Sequence, residues 1–352
     1  MNAIRGLRDL KAFVPGEQPN EKEIIKLNTN ENPYPPSPKV SEKLNNFNVD
    51  QLKRYSPVEQ IALRTAIANH LGITKDMVMI GSGSDEVLAM AFLAFFNNPE
   101  PILFPDVTYG FYKVLAELYG IPFQEIPLDE SFELTNQGYL QKNGGIVLVN
   151  PNAPTGLAKP LTEIEDLLKA NPRVMVVVDE AYISFGGQSA LSLVKDYPNL
   201  FIVRTFSKDA SLAGLRVGYG IGHPEIIQLM HAIKDSVNPY NLDSIAEVLA
   251  IAAVEDWTYY EGTIAAICQT RDWFSQELSQ LGYKVLPSST NFLLVKPRSF
   301  SAKYLYETLK EKQIYTRYFA DADRIKDYLR ISIGSQEEME SVLSIIRELE
   351  KG

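Results

Sequence analysis

Short apolar runs alternate with stretches of helical periodicity along most of the chain from about residue 77 onward. The runs are apolar on both faces, which is typical of strands buried inside a sheet. They lie at 77–80, 102–104, 145–149, 174–178, 201–203 and 217–221, with helices predicted at 85–96, 109–119 and 162–169. Thr162 and Glu165 have the spacing of a helix capping box. The alternation predicts an α/β fold in which helices cover both faces of a mostly parallel central sheet.

The pattern changes after about residue 245. A long helical stretch at 244–281 precedes a strand at 291–295, a helix at 301–312 and a strand at 329–333. The segment PYPPSP at 33–38 favours an extended N-terminal arm. Because 352 residues exceed what one core usually fills, we expect more than one unit. The predicted divisions are an arm at 1–49, a large domain at 50–245 and a smaller α/β domain at 246–352.

The amino-acid composition excludes several classes of protein. Hydrophobic content of 45% and charged content of 22% are those of a soluble globular protein. A net charge of −10 argues against general nucleic-acid binding, and no apolar run is long enough to span a membrane. A single cysteine, Cys268, and a start without a secretory signal predict a cytoplasmic protein. The three histidines form no metal-binding pattern, and no G-x-S-x-G motif marks a serine hydrolase.

The segment GSGSDE at 81–86 follows a predicted strand and begins a predicted helix. Backbone N–H groups of Gly83, Ser84 and Asp85 at such a helix start favour an anion. The dinucleotide-binding fingerprint is incomplete, because Glu86 stands where its third glycine belongs. An ordinary strand-to-helix turn capped by Ser84 is the alternative.

Asp179 and Glu180 end the apolar strand at 174–178, at the edge where α/β sheets bind ligands. A carboxylate there needs a cation or hydrogen-bond donors. Asp179 could hold a positively charged ligand atom, or a nearby arginine could form a structural ion pair.

Lys208 follows the strand at 201–203 and therefore reaches the same edge. Thr205, Ser207 and Arg216 offer donors to a phosphate, and a partly desolvated lysine can form a Schiff base with an aldehyde. Pyridoxal phosphate needs such a lysine, a carboxylate for its ring nitrogen, a phenol or amide for its phenolic oxygen O3′, an aromatic ring and an anion cradle. A solvated loop lysine is the simpler alternative.

Ten ordered motifs cover essentially the whole chain and resemble the fold-type I pyridoxal-phosphate aminotransferases, most closely the histidinol-phosphate aminotransferases. They are LNTNENPYPPSP (27–38), RYS (54–56), GSGSDE (81–86), DVTYGFY (106–112), NPNAPTG (150–156), DEAYISF (179–185), RTFSKDASLAGLRVGY (204–219), NPYNLDS (238–244), TNFLLV (290–295) and LRISIG (329–334).

The resemblance implies roles for individual residues. Lys208 would bind the cofactor and move the substrate's Cα proton. Asp179 would keep the ring nitrogen protonated, Tyr182 would hydrogen-bond O3′ and Tyr109 would stack on the ring. The cofactor phosphate would be held by Gly83, Ser84, Asp85, Thr205, Ser207 and Arg216.

The resemblance also implies a homodimer, since Tyr55 is expected to reach the cofactor phosphate of the other subunit. Arg317 and Arg330 match two arginines that bind the phosphate of histidinol phosphate and the carboxylate of glutamate. Taken without the resemblance, both arginines would be read as surface charges.

Two positions depart from the family pattern. Ala153 replaces the asparagine that usually contacts O3′, so either the amide of Asn152 or Tyr182 alone is expected there. Phe13 replaces a tyrosine expected near the substrate phosphate, a loss of at most about 1 kcal/mol. The expected reaction is transamination between histidinol phosphate and 2-oxoglutarate. The alternatives are an aromatic amino-acid aminotransferase, a decarboxylase similar to threonine-phosphate decarboxylase, and a non-enzymatic phosphate-binding module.

Overall fold

A computed structural model describes residues 10, 12–19 and 23–351. The strands in this part of the chain are β1 (Ile25–Lys26), β2 (Val78–Ser82), β3 (Ile102–Pro105), β4 (Phe123–Ile126), β5 (Gly145–Val149), β6 (Val176–Asp179), β7 (Leu200–Thr205), β8 (Val217–Gly222), β9 (Lys284–Val285), β10 (Phe292–Lys296), β11 (Ile314–Tyr315), β12 (Arg317–Tyr318) and β13 (Leu329–Ser332). The helices are α1 (Pro38–Asn45), α2 (Ile61–Leu71), α3 (Gly83–Phe95), α4 (Phe111–Tyr119), α5 (Leu161–Ala170), α6 (Pro224–Val237), α7 (Ser244–Glu255), α8 (Trp257–Gln280), α9 (Ala302–Glu311) and α10 (Gln336–Leu349).

The central sheet has seven strands in the order β2-β8-β7-β6-β5-β3-β4. Neighbouring strands from β7 to β4 are parallel, whereas β8 runs antiparallel to both β7 and β2. The prediction of a mostly parallel sheet is therefore confirmed. The reversed strand β8 has a consequence for ligand binding, because its start lies at the edge where β2, β6 and β7 end.

Both faces of the sheet are buried, as the apolar runs predicted. In β5, Val147 and Val149 pack in one core and Ile146 and Leu148 in another. The alternation follows from the two-residue repeat of a strand. Helices α3 and α4 cover the first face, and α2, α5 and α7 cover the second.

Several local predictions were wrong. Helix α5 begins at Leu161, after Pro160 and without a side-chain cap, so Thr162 is not its capping residue. Helix α3 begins at Gly83, which places Ser84 inside the first turn. The long helical stretch is two helices separated at Asp256, and the strand at 123–126 was missed. Alternating burial of its side chains is weak in that strand, which lies at the sheet's edge.

A second sheet, in the order β12-β13-β10-β9, contains antiparallel neighbours and lies in the C-terminal part of the chain. The arm joins this part, because β1 pairs in parallel with β11. The predicted division at residue 245 falls inside α7, whose apolar side packs with the central sheet. No helix in the described part of the chain is long and apolar enough to cross a membrane.

Candidate active site

One edge of the central sheet gathers most of the predicted site residues. Asp179 ends β6 and Thr205 ends β7, so both lie where parallel strands terminate. Gly83 begins α3 directly after β2, and Arg216 precedes the antiparallel strand β8. Tyr109 follows β3. The topology therefore brings together residues that are more than 130 positions apart in the chain.

Asp179 is 3% exposed and accepts hydrogen bonds from the Tyr112 hydroxyl (2.9 Å) and from the Ala181 amide (3.1 Å). Burial raises the pKa of its carboxyl to about 7. Among the described residues Asp179 has no ion-pair partner, whereas Glu180 pairs with Arg204 at 2.8 Å. The structural ion pair considered for this strand end is therefore made by Glu180. The Asp179 carboxyl has no cationic partner among the described residues and could pair with a positively charged ligand atom.

Lys208 is partly buried, and its Nζ donates to the carbonyl of Thr29 at 2.8 Å. Burial and the nearby guanidinium of Arg330 together lower the pKa of this amine to about 8, although the charges of Glu31 and Asp85 oppose the shift. About a tenth of the amine is therefore uncharged at pH 7, far more than for an ordinary lysine. The uncharged amine is the nucleophilic state.

Hydrogen-bond donors suited to an anion lie beside Lys208 at the start of α3. We call this group, which comprises Gly83, Thr205, Ser207 and Arg216, the anion cradle. The Thr205 hydroxyl donates to Ser207 Oγ at 2.9 Å, and Arg216 Nη1 donates to the same oxygen at 3.4 Å. Arg216 also pairs with Asp85 at 3.1 Å. Gly83 has φ +80°, and a Cβ there would collide with the guanidinium of Arg216. Glycine is therefore required for the close approach of helix start and arginine.

Two tyrosines line the space between the cradle and Asp179. Tyr109 donates to Asp85 at 3.1 Å, and the edge of Phe13 packs on it with 5.8 Å between ring centroids. Tyr182 is 8% exposed, and its hydroxyl accepts a hydrogen bond from Nδ2 of Asn30 at 2.9 Å. Burial raises the pKa of both phenols, so they remain protonated at neutral pH.

Arg317 and Arg330 face each other across the β12–β13 pair. Both guanidinium groups lie over the ring of Phe319, at 5.5 and 5.6 Å, and Arg330 also lies 5.3 Å from Phe292. Burial lowers the pKa of Arg330 to about 10, and its buried Nε has no hydrogen-bond partner in the part of the chain that the structure describes. Two adjacent cations, one of them with a donor that has no partner among the described residues, have the chemistry to bind a small dianion.

Two predicted residues, Asn152 and Tyr55, do not join this arrangement within the described chain. The Asn152 amide donates to the Val107 carbonyl (3.0 Å) and to Thr155 Oγ1 (2.9 Å), so a contact with O3′ requires exchange of one of these bonds. Tyr55 is 80% exposed and stacks on Tyr240 at 4.3 Å, apart from the residues described above. Its predicted contact with the cofactor therefore depends on a second subunit.

A sequence profile described as "Aminotransferase class I and II" matches residues 22–346. This chain belongs to that aminotransferase family. Histidinol-phosphate aminotransferase from Clostridium botulinum (strain Kyoto / Type A2) is 44% identical over 97% of this chain and 96% of its own. Histidinol-phosphate aminotransferase 1 from Methylococcus capsulatus is 46% identical over 98% and 97% of the two chains.

Among solved structures, histidinol-phosphate aminotransferase from Sinorhizobium meliloti, in complex with pyridoxal-5′-phosphate, is similar to this chain. Its TM-score is 0.83 at 25% identity, over 94% of this chain and 92% of that one. The predicted fold and class of enzyme are confirmed. The chain is a pyridoxal-phosphate-dependent aminotransferase, which excludes the non-enzymatic alternative.

The aminotransferase's own residues fit this cofactor. Asp179 is a buried carboxylate without a cation, Lys208 is an amine with a lowered pKa, and the two lie at one edge of the sheet. The cradle at Gly83 and Arg216 supplies the donors that a phosphate needs. Within the described residues no cluster of three or more histidine, cysteine or acidic side chains is placed to hold a metal ion.

Four residues that contact the site of the aminotransferase were not assigned a role from the sequence. Asn28, Thr29 and Asn30 contact predicted site residues from the arm, and Tyr112 donates to Asp179 from α4. Tyr112 had a detectable signal, because it belongs to the same motif, DVTYGFY, as Tyr109. The first three belong to the motif LNTNENP, where only the resemblance drew attention to them.

Proposed function

We propose that this aminotransferase moves the amino group of L-histidinol phosphate to 2-oxoglutarate, giving imidazole-acetol phosphate and glutamate, a step of histidine biosynthesis. The paired guanidinium groups of Arg317 and Arg330 carry the proposal. They offer the same dianion site to the phosphate of one substrate and to the distal carboxylate of the other. The two curated relatives described above bear the name of this activity.

When bound, pyridoxal phosphate supplies an electron sink for the charge left when the substrate loses its α proton. Lys208, uncharged in part at neutral pH, would act as the base that moves this proton away from Cα. Asp179 would hold a proton on the ring nitrogen, and Tyr182 would donate a hydrogen bond to O3′. The low polarity that raises the pKa of Asp179 also strengthens its interaction with a cation.

The cofactor phosphate is proposed to bind at the N-terminal end of α3. The backbone amides of Gly83, Ser84 and Asp85, the hydroxyls of Thr205 and Ser207, and Arg216 supply the donors. Arg216 pairs with Asp85 in the structure. The phosphate would replace this carboxylate as the partner of Arg216, while Tyr109 packs against the ring.

Substrate preference is expected to follow the dianion site. Mixed with cofactor-loaded protein, histidinol phosphate should abolish the absorption band of the bound cofactor in a rapid single turnover. Histidine and phenylalanine lack the phosphate and should react at least about 10²-fold more slowly, the effect of a lost charge-assisted pair of hydrogen bonds. Stopped-flow absorbance with each substrate gives the comparison.

Arg317→Gln is the informative variant for this preference, because the hydrogen bonds that the Arg317 guanidinium makes to described residues go to the arm carbonyls of Val14 and Pro15. It should slow histidinol phosphate and leave phenylalanine unchanged. Conversion of phenylalanine as fast as histidinol phosphate by the wild type would instead place the enzyme among aromatic amino-acid aminotransferases.

We also propose that two chains form a homodimer in which Tyr55 completes the partner's site. Tyr55 is among the most exposed large apolar side chains of the described residues, and four others lie nearby in the chain. A second copy that covers this segment would bury them. These four are Leu44, Val49, Leu52 and Ile61.

Hybrid dimers test the shared site. Chains carrying Lys208→Ala and chains carrying Tyr55→Ala should each be weakly active at limiting cofactor. Unfolded and refolded together, they should recover activity, because one site of each hybrid then combines an intact Lys208 with an intact Tyr55. Sedimentation should show two chains per particle. A mixture no more active than its components would place Tyr55 outside the partner's site.

A further inference from the structure

Three consecutive residues of the arm each contact a different residue of the site. The carbonyl of Asn28 accepts from Arg330 Nη2 (2.8 Å), and the carbonyl of Thr29 accepts from Lys208 Nζ (2.8 Å). Asn30 donates from Nδ2 to the hydroxyl of Tyr182 (2.9 Å). Asn30 is the only one of the three that uses its side chain for this contact, so its effect can be tested by substitution.

Ser332 determines which way the Asn30 amide points. The backbone N–H of Asn30 donates to Ser332 Oγ (2.9 Å), so the serine hydrogen is free to donate to Asn30 Oδ1 (2.9 Å). The reverse amide orientation would give Ser332 Oγ two N–H donors and leave its own hydrogen without an acceptor. Nδ2 of Asn30 is therefore directed at the Tyr182 oxygen.

The orientation of the Asn30 amide determines which acceptor the Tyr182 hydroxyl can donate to. The phenol oxygen already accepts from Asn30, and its own hydrogen remains available for another acceptor. Ala153 stands where the family usually has a second donor to O3′, and the Asn152 amide is engaged with Val107 and Thr155. Tyr182 is thus the donor with a free hydrogen on this side of the site.

We propose that Asn30 is a positioning residue: with Ser332 it orients the Tyr182 hydroxyl so that its hydrogen is donated to O3′ of the cofactor. The inference rests on the proposed contact between Tyr182 and O3′. The relay runs from the Asn30 N–H through the Ser332 hydroxyl and the Asn30 amide to the phenol, and each group in it donates to the next.

The burial and backbone of this segment fit such a role. Asn30 is 2% exposed and Ser332 1% exposed, so water does not compete for the relay. Asn30 has φ 56°, in the left-handed region that asparagine tolerates better than most residues. Its carbonyl accepts from Asn291 Nδ2 at 3.0 Å, which anchors the same residue from the other side.

The test measures the pH at which the absorption band of the bound cofactor changes. A hydrogen bond donated to O3′ favours its ionised form, so losing this bond should make the cofactor keep its proton to higher pH. Tyr182→Phe should raise the midpoint by about one pH unit. Asn30→Asp should raise it at least as much, because a carboxylate accepts the phenol hydrogen and turns it away from O3′.

A double variant separates hydrogen-bond direction from added charge. In Tyr182→Phe protein, Asn30→Asp can act only through its charge, so its shift there should be clearly smaller than in the wild-type background. The charged groups that face the phenol, Arg330, Asp179 and Asp85, are the same in all four proteins. Equal shifts in the two backgrounds would overturn the inference.

Ser332→Ala provides a neutral second test if Asn30→Asp does not fold. It removes the group that fixes the amide without touching Tyr182, and it should raise the midpoint by a fraction of a pH unit. No shift in a folded, cofactor-loaded Ser332→Ala protein would overturn the inference. A missing shift in Tyr182→Phe itself would instead contradict the proposed contact with O3′.

Discussion

Lys208→Ala is expected to lower turnover of histidinol phosphate by about 10²- to 10⁴-fold or more, the contribution of a positioned base to proton transfer. The Lys208 side chain lies in a partly buried site, where its Nζ donates a hydrogen bond to the Thr29 carbonyl. The fold should therefore survive. Initial rates with saturating 2-oxoglutarate, together with far-ultraviolet circular dichroism, give the measurement.

Lys234→Ala is the matched control for this substitution. Its amine is also buried and also donates to a backbone carbonyl, that of Val58 at 2.7 Å, but none of its contacts involves a site residue. The folded fraction of this variant should keep wild-type turnover. Lys208→Ala activity above about one tenth of the wild type would contradict the role of Lys208 as the base.

The role of Lys208 as a base can also be tested by restoring the activity of Lys208→Ala with an added amine. With a pKa of about 8, half of the amines are uncharged at pH 8, against roughly 0.3% for an ordinary lysine with a pKa of 10.5. A small primary amine added to Lys208→Ala supplies the missing base only in its uncharged form. The restored rate should therefore grow with pH in proportion to the uncharged fraction of the added amine.

Local pattern was enough to predict the sheet edge at which Lys208 and Asp179 meet. Each follows or ends a short apolar run, and parallel strands end together whatever the register between them. The same reasoning could not have found Asn30, whose partners Tyr182 and Ser332 lie 152 and 302 residues away. No periodicity encodes a contact between the arm and two separate sheets.

The paired arginines Arg317 and Arg330 show the same difference between what local sequence pattern can predict and what it cannot. Arg317 and Arg330 were expected only because of the resemblance, since each lies in a two- or four-residue strand with little pattern of its own. Their pairing depends on the antiparallel register of β12 and β13. The wrong cap at Thr162 has a different cause. Pro160 takes the cap position, and its fixed φ places the helix start two residues earlier than the capping pattern predicts.

Asp179→Asn should lower turnover by roughly 10²- to 10³-fold, as expected for losing one preorganised electrostatic partner of the reacting group. Asparagine keeps the shape of aspartate but cannot hold a proton on the ring nitrogen. The thermal stabilisation that the cofactor gives should also be smaller in this variant, because the ion pair is lost. Melting curves with and without pyridoxal phosphate measure the second effect independently of catalysis.

The same substitution should stabilise the cofactor-free protein at high pH. The pKa of Asp179 is about 7 in the fold, against 3.8 for an ordinary aspartate. Between these values the folded chain binds a proton that the unfolded chain has released, so this group's contribution to the free energy of unfolding falls as the pH rises from about 4 to 7. Above pH 7 the penalty is about 4 kcal/mol at 1.4 kcal/mol per pH unit.

Asparagine does not ionise and carries no such penalty. In urea unfolding of the cofactor-free proteins, the stability gained by Asp179→Asn should therefore grow by about 2 to 3 kcal/mol between pH 5 and pH 8. A gain that is the same at both pH values would mean that Asp179 is already ionised at pH 5 in the fold. A group of the protein itself would then have to stabilise the charged carboxylate. The proposal that Asp179 pairs with the ring nitrogen of the cofactor would be contradicted.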